Sequence, residues 1–158
     1  MTVALAHAGG DQVRIAIPSA YPLRPIDELR VYAMNARLHS PEQVGQIAAS
    51  IRRFGFVNPV LVDAAGTIVA GHGRVLAADL LGMTAVPVVE LGHLSADEAR
   101  QLRLADNRIA LNSTWSPEIL AAELRAVAGA GADLGALGFS GAELDKLFGR
   151  RDAQDGEN

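Results

Sequence analysis

A run of strand-forming residues passes directly into a glycine turn and then into a helix near the middle of the chain. Thr67-Ile68-Val69-Ala70 is apolar and largely β-branched, Gly71-His72-Gly73-Arg74 follows it, and residues 74–81 show helical spacing. Such a junction requires a strand and a helix in the same core. We therefore predict an α+β domain with a small mixed sheet, packed helices and a C-terminal helical extension.

Turn residues and helix caps divide the rest of the chain into short elements. Ser40 and Gln43 form a capping box at the start of a helix that Gly55 ends, and the spacing places Phe54 on its apolar face. Two β-branched runs around a Gly-containing turn predict a hairpin over residues 59–70. The remaining predicted elements are a strand at 13–17, an extended segment at 21–26, a strand at 85–90, and helices that begin after Ser95, Ser116 (with Ile119 and Leu120 facing inward) and Ser140.

Composition divides the sequence into four parts. We expect an N-terminal segment with a short strand (1–19, of which 1–11 are a frayed start), the α+β domain (20–112), the helical extension (113–148) and a disordered polar tail (149–158). No apolar run reaches the length of a membrane span, and cysteine is absent. We expect a cytoplasmic protein without thiol chemistry or a cysteine-based zinc site.

The charge distribution argues against a chain that coats DNA non-specifically. The formal net charge is −4, and the part beyond residue 80 carries twelve acidic against seven basic residues. Thirteen of the fourteen basic residues are arginine, whose planar fork suits phosphate. The composition therefore disfavours a broadly basic DNA-binding surface and leaves a local phosphate site open.

The glycine turn has the features of such a phosphate site. Gly71 and Gly73 leave backbone N–H groups open to an anion at a helix N-terminus, and Arg74 adds a charged fork. His72 between the glycines is the candidate catalytic residue, as an acid or a base. Two alternatives stay open on these residues alone: a tight turn without a ligand, and a dinucleotide fingerprint with Leu76 in the place of its third glycine.

Two further polar segments carry arginine beside a helix. Asn35 and Arg37 precede the first capped helix, and Asp106-Asn107-Arg108 lies toward the end of a later one. Either segment alone is typical of a solvated loop or a helix end. The four histidines lack the spacing of metal ligands, so we predict no metal site formed by the protein alone.

Taken in order, these segments resemble the N-terminal domain of the ParB/sulfiredoxin superfamily. The resemblance covers about residues 25–112 and rests on Asn35-Ala36-Arg37-Leu38-His39-Ser40, Phe54-Gly55, Asn58-Pro59-Val60, Ala70-Gly71-His72-Gly73-Arg74 and Ala105-Asp106-Asn107-Arg108. The sequence is most similar to ParB-like domains of prophages, which often precede a DNA methyltransferase. The resemblance implies a fold whose glycine turn faces a nucleoside triphosphate or a DNA phosphate.

The resemblance also implies a set of phosphate-binding residues. They are Gly71, Gly73, Arg74, Asn35, Arg37, Asp106, Asn107 and Arg108, with Mg²⁺ accompanying CTP or ATP. The family's Gly-Glu-Arg-Arg turn keeps its first and last residues here, whereas His72 replaces the acid and Gly73 an arginine. The family's Glu-Asn-x-x-Arg motif ends in Ala110 here, with Arg108 as the substitute. The changes in the turn argue against CTP hydrolysis of the partition type.

Three functions are compatible with the resemblance. The first is a nucleotide-binding switch or NTPase in a phage or prophage DNA transaction such as partition, modification or packaging. The second is a DNase with His72 as its acid or base. The third is a non-catalytic adaptor for a DNA methyltransferase or terminase. The acidic extension beyond Asn112 is expected to read DNA weakly, and to pack on the core or form a homodimer contact instead.

Overall fold

The computed structural model describes the backbone of residues 4–8, 11–15 and 21–152, and the side chains of residues 21–149. The chain divides into two compact units, Met1–Asn112 and Ser113–Asn158, and each unit is described by itself. Ile17, predicted as the end of the first strand, lies outside the described residues. Residues 153–158 of the predicted tail also lie outside them.

The strands that the structure describes in the first unit form two sheets. Their strands within the described residues are β1 (Ala4–Ala8), β2 (Asp11–Ile15), β3 (Leu23–Pro25), β4 (Val60–Val62), β5 (Ile68–Ala70) and β6 (Ala85–Glu90). β1 and β2 form an antiparallel hairpin, and the larger sheet has the order β3-β6-β4-β5. β6 runs antiparallel to β3 and parallel to β4, whereas β4 runs antiparallel to β5. This mixed sheet confirms the predicted α+β class.

The N-terminal segment differs from its prediction. The sequence predicts a frayed start over residues 1–11, whereas residues 4–8 form β1 and pair with β2 in the register Ala4↔Ile15. The sequence Ala-Leu-Ala-His-Ala has weak intrinsic strand propensity. The adjacent strand determines the conformation of this segment, because its ladder satisfies the backbone hydrogen-bonding groups.

Five helices lie within the described residues, and serine caps begin four of them. They are α1 (Pro41–Phe54), α2 (His72–Leu80), α3 (Ala96–Ala110), α4 (Pro117–Gly129) and α5 (Gly141–Asp152). Ser95 and Glu98 form both bonds of the predicted capping box. The Ser40 hydroxyl accepts from the Gln43 N–H at 3.2 Å, but Gln43 Oε1 lies 2.9 Å from His39 Nδ1, so the box predicted there is only half formed. None of the helices in the described part of the chain is long and apolar enough to span a membrane.

The second helix begins earlier than predicted. α2 starts at His72 rather than at Arg74, and Gly71 is its N-cap with a left-handed φ of 105°. His72 and Gly73 therefore belong to the first helical turn. A glycine disfavours a helix when it is exposed, but Gly73 is buried, and its close packing against α1 offsets that cost.

The core joins the larger sheet to α1 and α2. Its least exposed side chains, each at 1% or less, are Phe56, Val60, Val62, Ile68, Ala77, Ala78, Val86 and Val88. The central strand β6 is buried along its middle, as its continuous apolar run predicts. Phe54 does not join this core, contrary to prediction. It is 45% exposed at the last position of α1, with the Arg53 guanidinium 5.3 Å from its ring centroid.

In the second unit, one face of α4 is buried. Leu120, Ala121 and Leu124 form that face, whereas Ile119, predicted to face inward, is 67% exposed. One residue turns a helix by about 100°, so Ile119 points away from the stripe that begins one position later. α5 continues to Asp152, into the stretch predicted as a disordered tail.

Candidate functional site

Three segments of the first unit converge at the start of α2 and enclose a cleft of about 210 Å³. The end of β5 and the first turn of α2 form one side. The loop before α1 contributes Asn35, Arg37 and His39, and the second half of α3 contributes Asp106 and Asn107. The structure thus brings together the three polar segments that carry the predicted phosphate-binding residues, and it adds His39 to the residues that line the cleft.

Gly71 sets the geometry of the turn. Its φ of 105° lies in the left-handed region, and a Cβ there would lie 2.9 Å from Arg74 Nη2. Any other residue would be strained and would displace the guanidinium. The Val75 N–H donates to the Gly71 carbonyl at 3.0 Å and closes the first turn. The preceding N–H groups of α2 have no partner within the helix and give its N-terminus a positive potential.

Arg74 is partly buried and bonded to the segment before β4. Its Nη2 donates to the Pro59 carbonyl at 3.0 Å, and its Nε is buried without a hydrogen-bond partner among the described residues. Burial lowers the pKa of Arg74, and the Asp106 carboxylate opposes that shift. The guanidinium therefore reaches the cleft with one nitrogen already engaged and its charge only partly solvated.

Arg37 links the loop before α1 to α3. Its Nη1 donates to Asn107 Oδ1 at 3.2 Å. Asn35 shapes the loop around it, because Asn35 Oδ1 accepts from the Arg37 N–H at 3.3 Å and Asn35 Nδ2 donates to the Arg37 carbonyl at 3.2 Å. The Arg37 side chain is exposed, so its other donors can reach an anion in the cleft.

The α3 side of the cleft holds two of the three residues predicted for it. Asn107 Nδ2 donates to the Arg103 carbonyl at 2.9 Å, which orients the amide so that Oδ1 accepts from Arg37. Asp106 is exposed and also lines the cleft. Arg108 does not join them. It lines a neighbouring groove beside exposed leucines, because adjacent residues of a helix point about 100° apart.

Arg103 attaches α3 to the sheet, although the sequence interpretation gives it no role. It is 6% exposed. Its Nε donates to the Ile68 carbonyl at 2.9 Å, its Nη2 lies 3.5 Å from Asp63 Oδ2, and its Cζ lies 4.0 Å from the Tyr32 ring centroid. The one local signal is its position four residues after the buried Ala99, because residues four apart share a helix face.

His72 begins α2 with its ring partly buried. Its Nε2 is buried without a hydrogen-bond partner among the described residues. The pKa of His72 is lowered, first by burial and then by the charges of His39 and Arg103. At neutral pH the ring is therefore uncharged and able to accept a proton. Within the described residues, no group of three histidine, aspartate or glutamate side chains could hold a metal ion.

Gly73 allows α2 to approach α1 closely. A Cβ at Gly73 would lie 2.9 Å from Ile47 Cδ1 and 3.0 Å from His39 Cε1. His39 thus occupies the space that a side chain on the turn would take. Only the folded chain brings the loop before α1 against the turn, so no local pattern marks His39 as part of the site.

Family membership follows from the match of residues 23–108 to the model of the ParB N-terminal domain. The match spans more than half of the chain and includes every segment of the cleft, and the chain belongs to this family. Residues 118–158 match a second model, the ParB-methyltransferase HTH domain. This second match gives the acidic extension, predicted to read DNA weakly and to pack on the core or form a dimer contact, a likeness to a helix-turn-helix domain. Low basic content is a weak guide there, because a helix-turn-helix is defined by the arrangement of its helices.

Two curated relatives show how much of the chain is shared. The ParB-like nuclease domain-containing protein YnaK of Escherichia coli (strain K12) is 56% identical over 78 residues, which make up 49% of this chain and 88% of YnaK. The probable chromosome 2-partitioning protein ParB of Deinococcus radiodurans is 39% identical over 87 residues, which make up 52% of this chain and 29% of that protein. The similarity therefore covers most of YnaK and less than a third of the partitioning protein.

A solved ParB structure shares the fold. It is the C-terminally truncated chromosome-partitioning protein ParB from Caulobacter crescentus complexed with CTP-gamma-S, with a TM-score of 0.57 and 20% sequence identity. The likeness covers 81% of this chain and 70% of that chain. At this identity the comparison concerns the fold, and it agrees with the mixed sheet and packed helices described above.

Proposed function

We propose that the cleft binds a nucleoside triphosphate, with CTP as the first candidate and ATP as the second, in a DNA transaction of the ParB type. The observation that carries the proposal is the convergence of Arg37, Arg74 and Asn107 on the start of α2. A phosphate group needs unpaired N–H donors and positive potential. This cleft supplies both.

Each group of the cleft has a distinct part in holding phosphates. The N–H groups of the first turn of α2 donate to phosphate oxygens, and Gly71 and Gly73 leave the space that the Arg74 guanidinium and the His39 ring occupy beside them. Arg37 adds the donors that remain after its bond to Asn107. Arg74 contributes charge beside the turn, since one of its nitrogens is held by a backbone carbonyl.

We expect the nucleotide to bind as its Mg²⁺ complex. Triphosphates bind Mg²⁺ through their own oxygens and require few protein ligands. The charge of the cleft fits such a complex, because Arg37, Arg74 and Asp106 together carry only +1 against the several negative charges of a triphosphate. The ion would neutralise part of the remaining charge.

Two considerations order the candidate nucleotides and activities. CTP comes first because the solved ParB with the same fold holds CTP-gamma-S. Binding is favoured over hydrolysis because His72 and Gly73 replace the acid and one arginine of the family's turn. We therefore expect a nucleotide-responsive binding protein more than an efficient NTPase.

A thermal-shift panel tests the nucleotide. The full chain is heated with CTP, ATP, GTP or UTP, with and without Mg²⁺, and a stabilisation of about 3 kcal/mol is expected at a concentration about 100 times the Kd. Arg37→Ala should remove most of the shift and leave the ligand-free Tm unchanged, because Arg37 is exposed. Arg52→Ala, at an exposed position outside the cleft, is the matched control. No shift with any of the four nucleotides would refute the proposal.

The second unit supports the DNA part of the proposal through its match to a helix-turn-helix model. Titration of a labelled DNA duplex with the full chain, followed by fluorescence anisotropy with and without MgCTP, tests it. Affinity should fall with added salt, because phosphate contacts release counterions. No binding at low salt in either nucleotide state would refute the DNA part alone.

DNA cleavage is the second candidate function. The uncharged His72 ring could accept a proton from an attacking water, and the relative YnaK is named for a ParB-like nuclease domain. Supercoiled plasmid is incubated with the wild type and with His72→Ala, purified in parallel. Nicking by the wild type alone supports cleavage. Equal nicking by both proteins, or by neither, argues against it.

An adaptor function stays a prediction. A DNA methyltransferase is the first partner to test, because residues 118–158 match a domain named for ParB-methyltransferases. Co-purification of the tagged chain with such an enzyme from the native host would support the adaptor function. Light scattering with and without nucleotide tests the predicted homodimer.

A further inference from the structure

The imidazole of His39 lies against the glycine turn at the point where a side chain on Gly73 would stand. A Cβ at Gly73 would approach His39 Cε1 at 3.0 Å and His39 Nδ1 at 3.1 Å. The His39 side chain is partly buried and lines the cleft. The centre of the turn therefore has no side chain of its own, and the loop before α1 provides an imidazole in that place.

The two ring nitrogens of His39 have different surroundings. Nδ1 lies 2.9 Å from Gln43 Oε1, and this contact orients the ring against α1. Among the residues with described side chains, none is hydrogen-bonded to Nε2. When Nδ1–H donates to Gln43, Nε2 is an acceptor in the neutral ring and becomes a donor only when the ring is protonated.

Binding of a polyphosphate would change the net charge around the His39 ring from positive to negative. The charged or titratable groups that line the cleft or act on its histidines are Arg37, Arg74, His72, Asp106, and Arg103 with its partner Asp63. Without a ligand, three arginines face two carboxylates here. A polyphosphate brings several negative charges into the same space, and a nearby opposite charge favours the protonated imidazole.

We propose that His39 is a phosphate-binding residue of the cleft and that it is protonated as the nucleotide binds, so that its Nε2–H donates to a phosphate oxygen. The inference rests on the proposed nucleotide site and adds to it a residue and a proton. The proton comes from solvent and stays on the ring while the nucleotide is bound, and no covalent bond changes. Gly73 is part of the same arrangement, because only glycine leaves room for the ring.

Calorimetric titration of the full chain with MgCTP tests whether a proton is taken up when the nucleotide binds. Wild-type affinity should rise by up to tenfold per pH unit as the pH falls from about 8 to about 6, the slope for uptake of one proton. Titrations in two buffers with different ionisation enthalpies should show protons taken up on binding. The phosphates of the nucleotide also take up protons as the pH falls. The quantity that tests the proposal is therefore the difference in pH dependence and proton uptake between the wild type and the His39 variant.

His39→Gln is the first variant. It should weaken binding by roughly tenfold at about pH 6, the size of one charge-assisted hydrogen bond, and by much less at about pH 8. Proton uptake should fall with it. His93→Gln is the matched control, because His93 is exposed and lies outside the cleft, and it should bind like the wild type at every pH. Ligand-free urea unfolding verifies that both variants fold.

Gly73→Ala tests the geometry. Alone, it should displace the His39 ring and weaken binding about as much as His39→Ala does. In the His39→Ala background the same change should have little further effect, because the remaining neighbour is the flexible end of Ile47. The two losses should therefore not add. Additive losses would overturn the pairing of Gly73 with His39.

The outcomes separate this inference from the site on which it rests. Equal affinities and equal pH profiles for the wild type and His39→Gln would overturn the role of His39 and leave the nucleotide site standing. If His39→Gln loses the same affinity at both pH values, His39 has a structural role and the proposed protonation on binding is wrong. A wild type that binds none of the four nucleotides would overturn both proposals.

Discussion

The two helices that flank the cleft are attached to the sheet in different ways. α2 buries the apolar side chains of Val75, Ala77 and Ala78, whereas α3 buries only Ala99 and Arg103. Apolar packing is non-directional, whereas the hydrogen bonds of a guanidinium require a particular orientation of their partners. The helix that presents backbone N–H groups is thus fixed by packing, and the helix that presents Asn107 is fixed mainly by one side chain. Single substitutions should therefore separate the stability of the fold from the geometry of the site.

The largest effect is expected from a change in the packed region. Phe56 is fully buried in the cluster that includes residues of α1 and α2, and Phe56→Ala should lower the free energy of unfolding by about 3–5 kcal/mol. Urea unfolding followed by circular dichroism measures it. Phe54→Ala removes the same side chain from a 45% exposed position and should cost less than about 1 kcal/mol. Similar losses for both variants would contradict the described core.

A smaller loss of stability and a clearer loss of binding are expected at α3. Arg103→Met leaves the Ile68 carbonyl without its donor and should lower the unfolding free energy by about 2 kcal/mol. Nucleotide affinity should fall as well, because Asn107 is no longer held in place. Arg103→Lys should recover only part of both, since an ammonium lacks the fork.

Arg100→Met is the control for that prediction, because Arg100 is exposed on the same helix and bonds only the Tyr32 hydroxyl among the described residues. It should leave stability within about 1 kcal/mol of the wild type. If Arg103→Met keeps both stability and affinity, α3 is attached by other contacts.

The helix caps allow a similar comparison, between α1 and α3, with smaller expected effects. Ser40→Ala and Ser95→Ala should each lower the unfolding free energy by about 1 kcal/mol. Hydrogen exchange should show a local difference. The first turn of α3 should exchange much faster in Ser95→Ala, whereas α1, which buries Ala48 and Ile51, should respond less to Ser40→Ala. Equal acceleration in both helices would argue that α3 is packed as firmly as α1.

The smallest effect is expected from the partly buried His72. Its pKa is lowered in the folded protein by burial, by His39 and by Arg103, so the unfolded chain binds the proton more readily. This contribution to stability is complete above the unfolded pKa of about 6.5 and is lost as the pH falls through the folded pKa. Urea midpoints between about pH 7.5 and about pH 5.5 should fall less in His72→Gln than in the wild type. Identical slopes would show that the ring does not titrate as described.

Features that depend on neighbouring residues could be predicted from the sequence. The Ser95 cap and the helix end at Gly55 are satisfied within a few residues, and β6 is apolar from Ala85 to Val89. The sequence pattern places the start of α2 two residues late, because intrinsic propensity disfavours Gly73 in a helix. Its burial against α1 reverses that preference, and burial is not a local property.

Features that depend on distant residues could not be predicted in this way. Arg103 bonds Ile68 across 35 positions, and His39 meets Gly73 only because two helices pack. The separation of Arg108 from the cleft depends on the rotation of α3, which its buried residues determine. The prediction for Ile119 is wrong for the same reason, since the adjacent apolar residues Ile119 and Leu120 do not determine the rotation of the helix.

The strand order of the larger sheet bears on when the cleft can form during synthesis. Among the strands that the structure describes, β6 comes last in sequence but lies between β3 and β4, and Leu23 pairs with Pro87. The motif that ends at Arg74 therefore leaves the ribosome before the strand that completes its scaffold. Contacts this distant in sequence slow folding and leave apolar strands exposed meanwhile. A nascent chain that stalls before Ala85 would carry the complete glycine turn on the β4–β5 pair without β6, and its exposed apolar strands would make it a target for chaperones.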